Sequence, residues 1–299
     1  MTKGLGCYTE TILTLSDAAR NERGNHMDTS AAPDTELRKA TVARKKHLGY
    51  RCPGKQRDGN YALSVGIPTA CYSAEQLRQL ADVIDKYAKV GHFSTAQSLI
   101  IVGIPENLYY EARQAVLDAG FDVRSIGRDV RQVKCCPGAD FSPFGLQRTF
   151  PLATALEEAF RGLPTPMKFK ISVSGCPNCC ANTKLNDFGI HGTVDGWKVF
   201  VGGKMGTVPA IAEELASGVS SDDIPKYLAA VLRVYRNVAQ PDERLAKTVS
   251  RVGLSTFMED VVSQLDTPFD DLVQTAKETR EKAMASQCVG PLEKGKQDC

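Results

Sequence analysis

The fold is decided by residues 167–182, Met-Lys-Phe-Lys-Ile-Ser-Val-Ser-Gly-Cys-Pro-Asn-Cys-Cys-Ala-Asn. The first half alternates apolar and polar side chains, which is the period of a half-buried strand. This alternation places Lys168 and Lys170 on one face, about 7 Å apart along the strand. The second half is a Gly-Cys-Pro turn in which Cys176 and Cys180 have Cys-x3-Cys spacing. The stretch therefore predicts a functional site at the end of a strand.

A second group of thiols lies upstream, at Cys135 and Cys136, and is followed by Pro137 and Gly138. Thiolates are soft ligands that favour iron–sulfur clusters and zinc. Proline lacks an N–H and fixes φ, so a proline after a cysteine lets the chain turn sharply beside a ligand. We therefore predict that the upstream and downstream cysteines meet at one metal or cluster site.

Composition narrows the class of protein. The chain has 299 residues, a net charge of +2 and 42% hydrophobic residues, which is typical of a soluble globular protein and excludes strong bulk attraction to nucleic acid. Residues 1–20 contain no apolar signal segment, and no apolar run is long enough to span a membrane. We expect a reducing, cytoplasmic location, where clustered cysteines more often bind metal than form disulfides. The isolated cysteines are expected to be inert; they are Cys7, Cys52, Cys71, Cys288 and Cys299.

The first half of the chain predicts a tail and a small α/β unit. Residues 1–55 are polar and weakly periodic, with a solvated basic surface at Lys45, Lys46 and Arg51. A strand at 61–68 precedes a helix that Ser73 and Gln76 open with a capping box. A second strand and helix follow between Ser98 and Gly120. Strand–helix–strand–helix order predicts a two-layer α/β sandwich.

The second half predicts more elements around the cysteine turn. A tight Asp195-Gly196 turn is a strong hairpin signal, and joins strands at 187–194 and 197–203. The predicted helices lie at 151–161, 224–238, 243–252 and 255–265. After Thr267 the chain becomes polar and charged, and we predict a helical or disordered tail.

The motif Gly175-Cys176-Pro177-Asn178-Cys179-Cys180, with Cys136 before it and Gly202-Gly203 after it, resembles the nitrite and sulfite reductases that couple sirohaem to a [4Fe-4S] cluster. Residues 61–123 resemble the ferredoxin-like half-domain of that family. The resemblance implies an α+β fold. It divides the chain into a flexible N-terminal tail at 1–55, a ferredoxin-like α/β sandwich half-domain at 56–125, a sirohaem/[4Fe-4S]-binding α+β domain at 126–266, and a polar C-terminal tail at 267–299.

The resemblance also assigns roles. Cys136, Cys176 and Cys180 are similar to cluster ligands, and Cys180 would bridge the cluster and the sirohaem iron. Arg131, Lys168 and Lys170 resemble residues that bind the oxyanion. Anions and carboxylate-rich macrocycles both require cations at close range. Gly202 and Gly203 either permit close backbone approach to the macrocycle or form a turn, and Lys204 is a candidate contact to a cofactor carboxylate.

Three departures from the family pattern leave alternatives open. The family has Cys-x5-Cys upstream, and Ser142 stands at its second cysteine, so the fourth ligand is Ser142, Cys135 or Cys179, or the cluster lacks one iron. Ala96 stands where the family has arginine in Ser94-Thr95-Ala96-Gln97, and residues 63–66 lack another expected arginine.

The leading function is an oxidoreductase that receives electrons from a donor protein. It would pass them through a [4Fe-4S] cluster to an oxyanion, sulfite or nitrite, that is bound to sirohaem. The alternatives are a non-catalytic iron–sulfur electron-transfer or cofactor-binding protein, and a structural zinc-binding protein. Larger family members carry two related repeats, whereas this chain has one. A symmetric homodimer with cysteines from one chain and cations from the other is therefore a hypothesis.

Overall fold

The computed structural model describes residues 54–124 and 127–285 as two sheets with their helices. Most of the predicted N-terminal tail, including Lys45, Lys46 and Arg51, lies outside the described residues. The isolated cysteines outside them are Cys7, Cys52, Cys288 and Cys299. The fold class is α+β, as predicted. No helix in the described ranges is long and apolar enough to cross a bilayer.

The first sheet is antiparallel and belongs to the half-domain. Its strands are β1 (Gly54–Lys55), β2 (Tyr61–Gly66), β3 (Val90–Phe93), β4 (Leu99–Ile104) and β5 (Asp122–Val123), in the order β1-β2-β4-β3 with β5 paired to β2. Its helices are α1 (Ala74–Tyr87) and α2 (Tyr109–Asp118). The predicted capping box is confirmed: Gln76 N donates to Ser73 Oγ at 3.1 Å and Ser73 N donates to Gln76 Oε1 at 2.9 Å.

The second sheet carries the cysteine stretches. Its strands are β6 (Lys134–Cys135), β7 (Ile171–Ser174), β8 (Phe188–Thr193), β9 (Gly196–Val201) and β10 (Glu213–Val219), in the order β10-β9-β8-β7-β6. The strands β6, β7 and β8 are parallel, and the remaining pairs are antiparallel. Its helices are α3 (Thr149–Phe160), α4 (Ile224–Val238), α5 (Leu245–Val252), α6 (Leu254–Ser263) and α7 (Asp270–Ala285).

The strand β7 is shorter and more deeply buried than the sequence predicts. The alternation from Met167 to Val173 predicted a half-buried strand, but β7 begins at Ile171 and is buried on both faces. One face packs Val173 into the core with the helices. The other face carries Ser172 and Ser174, which are also buried because the chain that follows the cysteine turn folds back over them.

Small residues allow this return segment, residues 176–186, to lie directly on the sheet. Asn186 Nδ2 donates to Ser172 Oγ at 2.9 Å, and Ala181 N donates to Ser174 Oγ at 3.0 Å. A Cβ on Gly189 would overlap the backbone carbonyl of Thr183. Serine and glycine on this face therefore bring the segment after the cysteines into contact with the strands.

The last helix, α7, lies where the sequence predicted a polar tail. Leu272 and Ala276 are 2% and 0% exposed and belong to the second hydrophobic core. Arg113 Nη2 in α2 donates to the carbonyl oxygens of Ala283 and Met284, which caps the end of the helix. The helical alternative of the prediction is therefore confirmed for residues 270–285, but the helix packs against the fold and is not a free tail.

We predict that Gly189→Ala lowers the free energy of unfolding by about 2 kcal/mol or more, because the new methyl group collides with backbone that cannot rotate away. The matched control is Gly54→Ala in β1, where the added Cβ would make an ordinary contact of 3.4 Å with Ala62 O. Urea unfolding of both variants measures the difference. Equal losses of stability would contradict the proposed contact between residues 176–186 and the sheet.

Candidate functional site

Backbone hydrogen bonds join the two cysteine stretches. Gly175 N donates to Cys136 Sγ at 3.1 Å, and Cys136 N donates to Val173 O at 3.1 Å. The carbonyl of Gly175 accepts from Leu146 N at 2.8 Å and from Gln147 N at 3.0 Å. The loop after β6 and the turn after β7 therefore form one unit, with Cys136 beside the residue that precedes Cys176.

Glycines make this contact between the two loops possible. A Cβ on Gly175 would lie 2.6 Å from Gly138 Cα, and Gly138 itself has φ +61°. A Cβ on Gly145 would overlap the backbone of Ala139. The glycines that flank the cysteines therefore fix the distance between the loops, in addition to forming turns.

The downstream cysteines differ in exposure and surroundings. Cys176 is 8% exposed, Cys179 is half-buried and Cys180 is exposed. Cys179 adopts φ +58°, which is unusual for a non-glycine residue, and its Sγ lies 3.0 Å from Thr183 Oγ1. Ser142 lies in the loop after β6, where its Oγ accepts from Phe144 N at 3.3 Å. The two joined loops therefore carry both thiol sulfurs and a serine hydroxyl as possible cluster ligands.

Cys135 has a different environment from the other candidate ligands. It is 2% exposed and belongs to the second hydrophobic core. Burial is the largest of the effects that raise the pKa of its thiol to about 12. Its side chain packs among the residues of that core. The structure therefore argues against Cys135 as the fourth ligand.

The half-domain holds the backbone of Cys135 through Gln97, a residue whose role the sequence did not indicate. Gln97 Nε2 donates to Cys135 O at 2.6 Å, and Cys135 N donates to Gln97 Oε1 at 2.9 Å. The carbonyl of Gln97 also accepts from Gln132 Nε2 at 2.6 Å. The amide side chain acts as an added backbone partner for β6, and links the two sheets next to the cysteines.

Among residues 54–124 and 127–285, no group of three or more His, Cys, Asp or Glu side chains could hold a single metal ion. A mononuclear zinc site is therefore not preformed in the described part of the chain. Cysteines that hold an iron–sulfur cluster bind different irons and need not meet at one point.

The predicted anion-binding side chains lie beside one another. Arg131 N donates to Phe169 O at 2.8 Å, which places Arg131 next to Lys168 and Lys170. Arg131 Nε lies 3.3 Å from Asp129 Oδ1. Burial, and then the charge of Arg244, lower the pKa values of both lysines. The three residues together create a region of positive charge.

Arg244 and Asp187 form an ion pair at this region that the sequence did not indicate. Arg244 Nη2 and Nε lie 2.6 and 3.2 Å from the two carboxylate oxygens of Asp187. Asp187 is fully buried and also accepts from Lys170 N at 2.9 Å. Burial raises the pKa of Asp187, and Arg244 opposes that effect. The partners are 57 positions apart, so no local pattern could reveal the pair.

Lys134 is a further basic residue that the sequence analysis missed. It is 6% exposed and pairs in register with Ser172, on the face that residues 176–186 cover. Burial and then the charge of Lys170 lower the pKa of Lys134 to about 8, and Cys179 opposes them. Within the described residues, no carboxylate forms an ion pair with it. The two-residue strand β6 is too short for periodicity to show which way the side chain faces.

The residues after β9 that were predicted to contact a cofactor, Gly202, Gly203 and Lys204, also have roles in the local backbone structure. Gly202 has φ +82°, and a Cβ on Gly203 would lie 2.6 Å from Asn186 O. Lys204 and Ala210 exchange backbone hydrogen bonds of 2.9 Å. These contacts account for both glycines without a cofactor, and the predicted cofactor contacts stay predictions.

Comparison with known proteins identifies relatives of this chain. Residues 126–269 match the family model described as nitrite and sulphite reductase 4Fe-4S domain, and residues 54–114 match that of the nitrite/sulfite reductase ferredoxin-like half domain. The chain is 32% identical to an assimilatory-type sulfite reductase of Nitratidesulfovibrio vulgaris, over 69% of this chain and 95% of that protein. It is 34% identical to an NAD(P)H nitrite reductase of Bacillus subtilis, over 67% of this chain but only 25% of that protein.

Two solved structures share the fold. The Mycobacterium tuberculosis NirA protein has a TM-score of 0.62 at 20% identity, and the match covers 74% of this chain and 45% of that one. Dissimilatory sulfite reductase I has a TM-score of 0.64 at 15% identity, over 89% of this chain and 91% of that one. These two likenesses show the fold alone.

We expect Arg244→Met to lower the free energy of unfolding by about 3–5 kcal/mol, because Asp187 is left buried without its partner. The pKa of Asp187 should then rise further, so the variant should be most stable at acid pH and lose stability as pH rises through that pKa. The double variant Arg244→Met/Asp187→Asn should recover part of the loss. Denaturation between pH 4 and 8 is the measurement.

The control is Arg148→Met, because Arg148 forms an ion pair with Asp140 but its side chain is 70% exposed. An exposed pair contributes about 1 kcal/mol or less. A double variant no more stable than Arg244→Met, or a control that loses as much stability, would contradict the assignment.

Proposed function

Because the chain belongs to the nitrite and sulfite reductase family, we propose that it is an oxidoreductase that carries a [4Fe-4S] cluster and sirohaem and reduces sulfite or nitrite. The observation that carries this proposal is the hydrogen bond from Gly175 N to Cys136 Sγ, which joins the two cysteine stretches. A fold does not by itself fix an activity, so the proposal depends on these thiols and on the basic side chains nearby.

The donor set fits an iron–sulfur cluster. Cys136, Cys176 and Cys180 supply three thiols from two adjoining loops, and a backbone N–H group already points at the sulfur of Cys136. Such hydrogen bonds to sulfur are among the features that set the potential of a cluster. In this proposal of a four-iron cluster, the fourth ligand is Ser142 or Cys179.

The charges of the site fit a carboxylate-rich macrocycle and an anionic substrate. The basic side chains of the region are Arg131, Lys134, Lys168, Lys170 and Arg244. Among the described residues, Asp129 and Asp187 form ion pairs with Arg131 and Arg244, and Lys134, Lys168 and Lys170 add three further positive charges. Cys180 is exposed, which leaves its sulfur accessible to a haem iron. Gly202, Gly203 and Lys204 stay proposed contacts of the macrocycle.

When bound, the cluster and sirohaem supply the electron path and the iron to which the oxyanion binds. The chain supplies charge and protons. Arg131 and the two lysines, Lys168 and Lys170, stabilise the anion. Because burial lowers the pKa values of both lysines, their ammonium groups are also suited to give protons as oxygen leaves. The Asp187–Arg244 pair holds the backbone of Lys170 in place.

We further propose that two copies of the chain form two equivalent sites, each served by a cytoplasmic electron donor protein. Lys170 precedes β7 and Cys176 follows it, so a strand of about 13 Å separates the cations from the thiols along the chain. A symmetric homodimer would place the basic residues of one chain opposite the cysteines of the other. Nothing in the net charge of +2 calls for nucleic acid or a membrane surface.

A non-catalytic iron–sulfur electron carrier is the second candidate. Ser142 at an expected cysteine and Ala96 at an expected arginine favour it. Such a protein would hold iron and sulfide without turning over sulfite or nitrite.

A structural zinc protein is the third candidate, and the lack of a preformed three-ligand group among the described residues disfavours it.

We predict that the anaerobically purified protein is coloured, contains iron and acid-labile sulfide, and shows chlorin bands near the red end of the spectrum. Cys176→Ala should lose most of its iron and sulfide because it removes a ligand thiolate. The matched control is Cys71→Ala, since Cys71 is an exposed free thiol that belongs to neither joined loop, although its charge acts on Cys135. Absorption spectra with iron, sulfide and zinc assays on the same samples decide the result.

Iron and sulfide without chlorin bands would leave the electron carrier as the remaining function. A colourless protein with stoichiometric zinc would contradict both iron-based proposals. Equal iron loss in Cys71→Ala would show that the assay detects general instability.

We predict that a Lys168→Ala/Lys170→Ala variant and a Cys180→Ala variant, each inactive alone, regain sulfite or nitrite turnover when they are mixed and reassembled. One intact site per mixed dimer, with half of the dimers mixed, gives about a quarter of the wild-type turnover. Sedimentation measures the dimer, and turnover with a chemical electron donor measures the site. Mixed dimers without turnover would place the whole site in one chain, and a strictly monomeric holoprotein would exclude the dimer.

A further inference from the structure

Lys134 is a buried lysine close in the chain to the proposed cluster ligand Cys136, and no carboxylate in residues 54–124 and 127–285 forms an ion pair with it. It precedes Cys136 by two residues and is 6% exposed. In a strand, successive side chains point to opposite faces. Because Cys135 packs into the hydrophobic core, Lys134 must point to the other face of the sheet, where the segment after the cysteine turn covers it.

The groups around the Lys134 ammonium do not neutralise it. Lys170, the residue immediately before the neighbouring strand β7, repels it, and Cys179 is the nearby group whose charge attracts it. In the described part of the chain, the ion pairs of this region, Arg131–Asp129 and Arg244–Asp187, do not include Lys134. A buried ammonium is costly unless it has an anionic partner.

We propose that Lys134 is the internal counter-charge of the iron–sulfur cluster, and that it stabilises the reduced state of the cluster. The inference rests on the proposed function, because it requires the cluster at the joined cysteine loops. Thiolate ligands make such a cluster negative, and each added electron increases that charge. A fixed positive charge nearby favours the reduced form more than the oxidised form, and burial weakens the solvent screening that would reduce its effect.

This role differs from the roles of the other basic residues. Lys168 and Lys170 precede β7 and are proposed to face the substrate anion, and Arg244 is held by Asp187. Lys134 is a buried lysine on the sheet face that residues 176–186 cover, so in this proposal it acts on the cluster and does not need to touch the substrate.

The experiment measures the reduction potential of the cluster at pH 7 by anaerobic redox titration, followed by electron paramagnetic resonance, in the intact holoprotein. We expect Lys134→Gln to lower the equilibrium constant for one-electron reduction about tenfold, which moves the potential about 59 mV to more negative values. Lys134→Arg keeps the charge and should keep the wild-type potential. The matched control is Lys198→Gln, a lysine of β9 that already pairs with Glu214 at 2.9 Å and should leave the potential unchanged.

An unchanged potential in Lys134→Gln, or an equal shift in Lys134→Arg or Lys198→Gln, would overturn the inference. If Lys134→Gln fails to hold iron, the Lys134→Arg variant tests the charge role of Lys134. A cluster with the wild-type potential supports the charge role, and loss of the cluster or a shifted potential in this variant refutes it. Iron and sulfide assays of the wild type distinguish failure of the proposed function from failure of this inference. A wild type without a cluster refutes both, whereas a wild type with a cluster leaves the role of Lys134 to the potentials of the variants.

Discussion

The hydrogen bond from Gly175 N to Cys136 Sγ is the interaction on which the candidate site depends. It exists because β6 and β7 are adjacent parallel strands, so the turns after them meet at one edge of the sheet. The contact is close enough that only glycine fits at Gly138 and Gly175. Without that pair of glycines the two cysteine stretches would separate, and three thiols could not share one cluster.

The second constraint is the close packing of residues 176–186 on the face of the second sheet that lies opposite the hydrophobic core. Serines and a glycine let the segment 176–186 lie directly on β7 and β8. Cys179 in this segment is close enough to Lys134 to interact with its charge. The same face carries Lys134, whereas Arg131 and Arg244 form ion pairs with Asp129 and Asp187. One buried and several half-buried cations close together are unfavourable in isolation, and anionic ligands would stabilise them. The charge distribution and the cysteine geometry thus support the same kind of site.

Local patterns predicted the parts of the fold that are encoded locally. The capping box at Ser73 and the helix Ile224–Val238 lie where the sequence indicated. The predicted hairpin is also present, but its two-residue turn is Val194-Asp195, one position earlier than predicted, because Gly196 already pairs with Thr193. The edge strand β10 was missed because Glu213–Val219 mixes charged, small and apolar residues without alternation. Tertiary partners far apart in the chain, such as Gln97 with Cys135 and Arg244 with Asp187, leave no local signal. The thiols and lysines of the motif were recognisable, whereas the burial of Cys135 and Lys134 required the fold.

Mössbauer spectroscopy of the protein grown on iron-57 tests the central claim most directly, because it resolves cluster iron and haem iron in one sample. The account predicts the signals of a four-iron cluster and of one haem iron whose spectra are magnetically coupled through a shared ligand. A spectrum with no iron signal, or with cluster iron that is uncoupled to any haem, would contradict it.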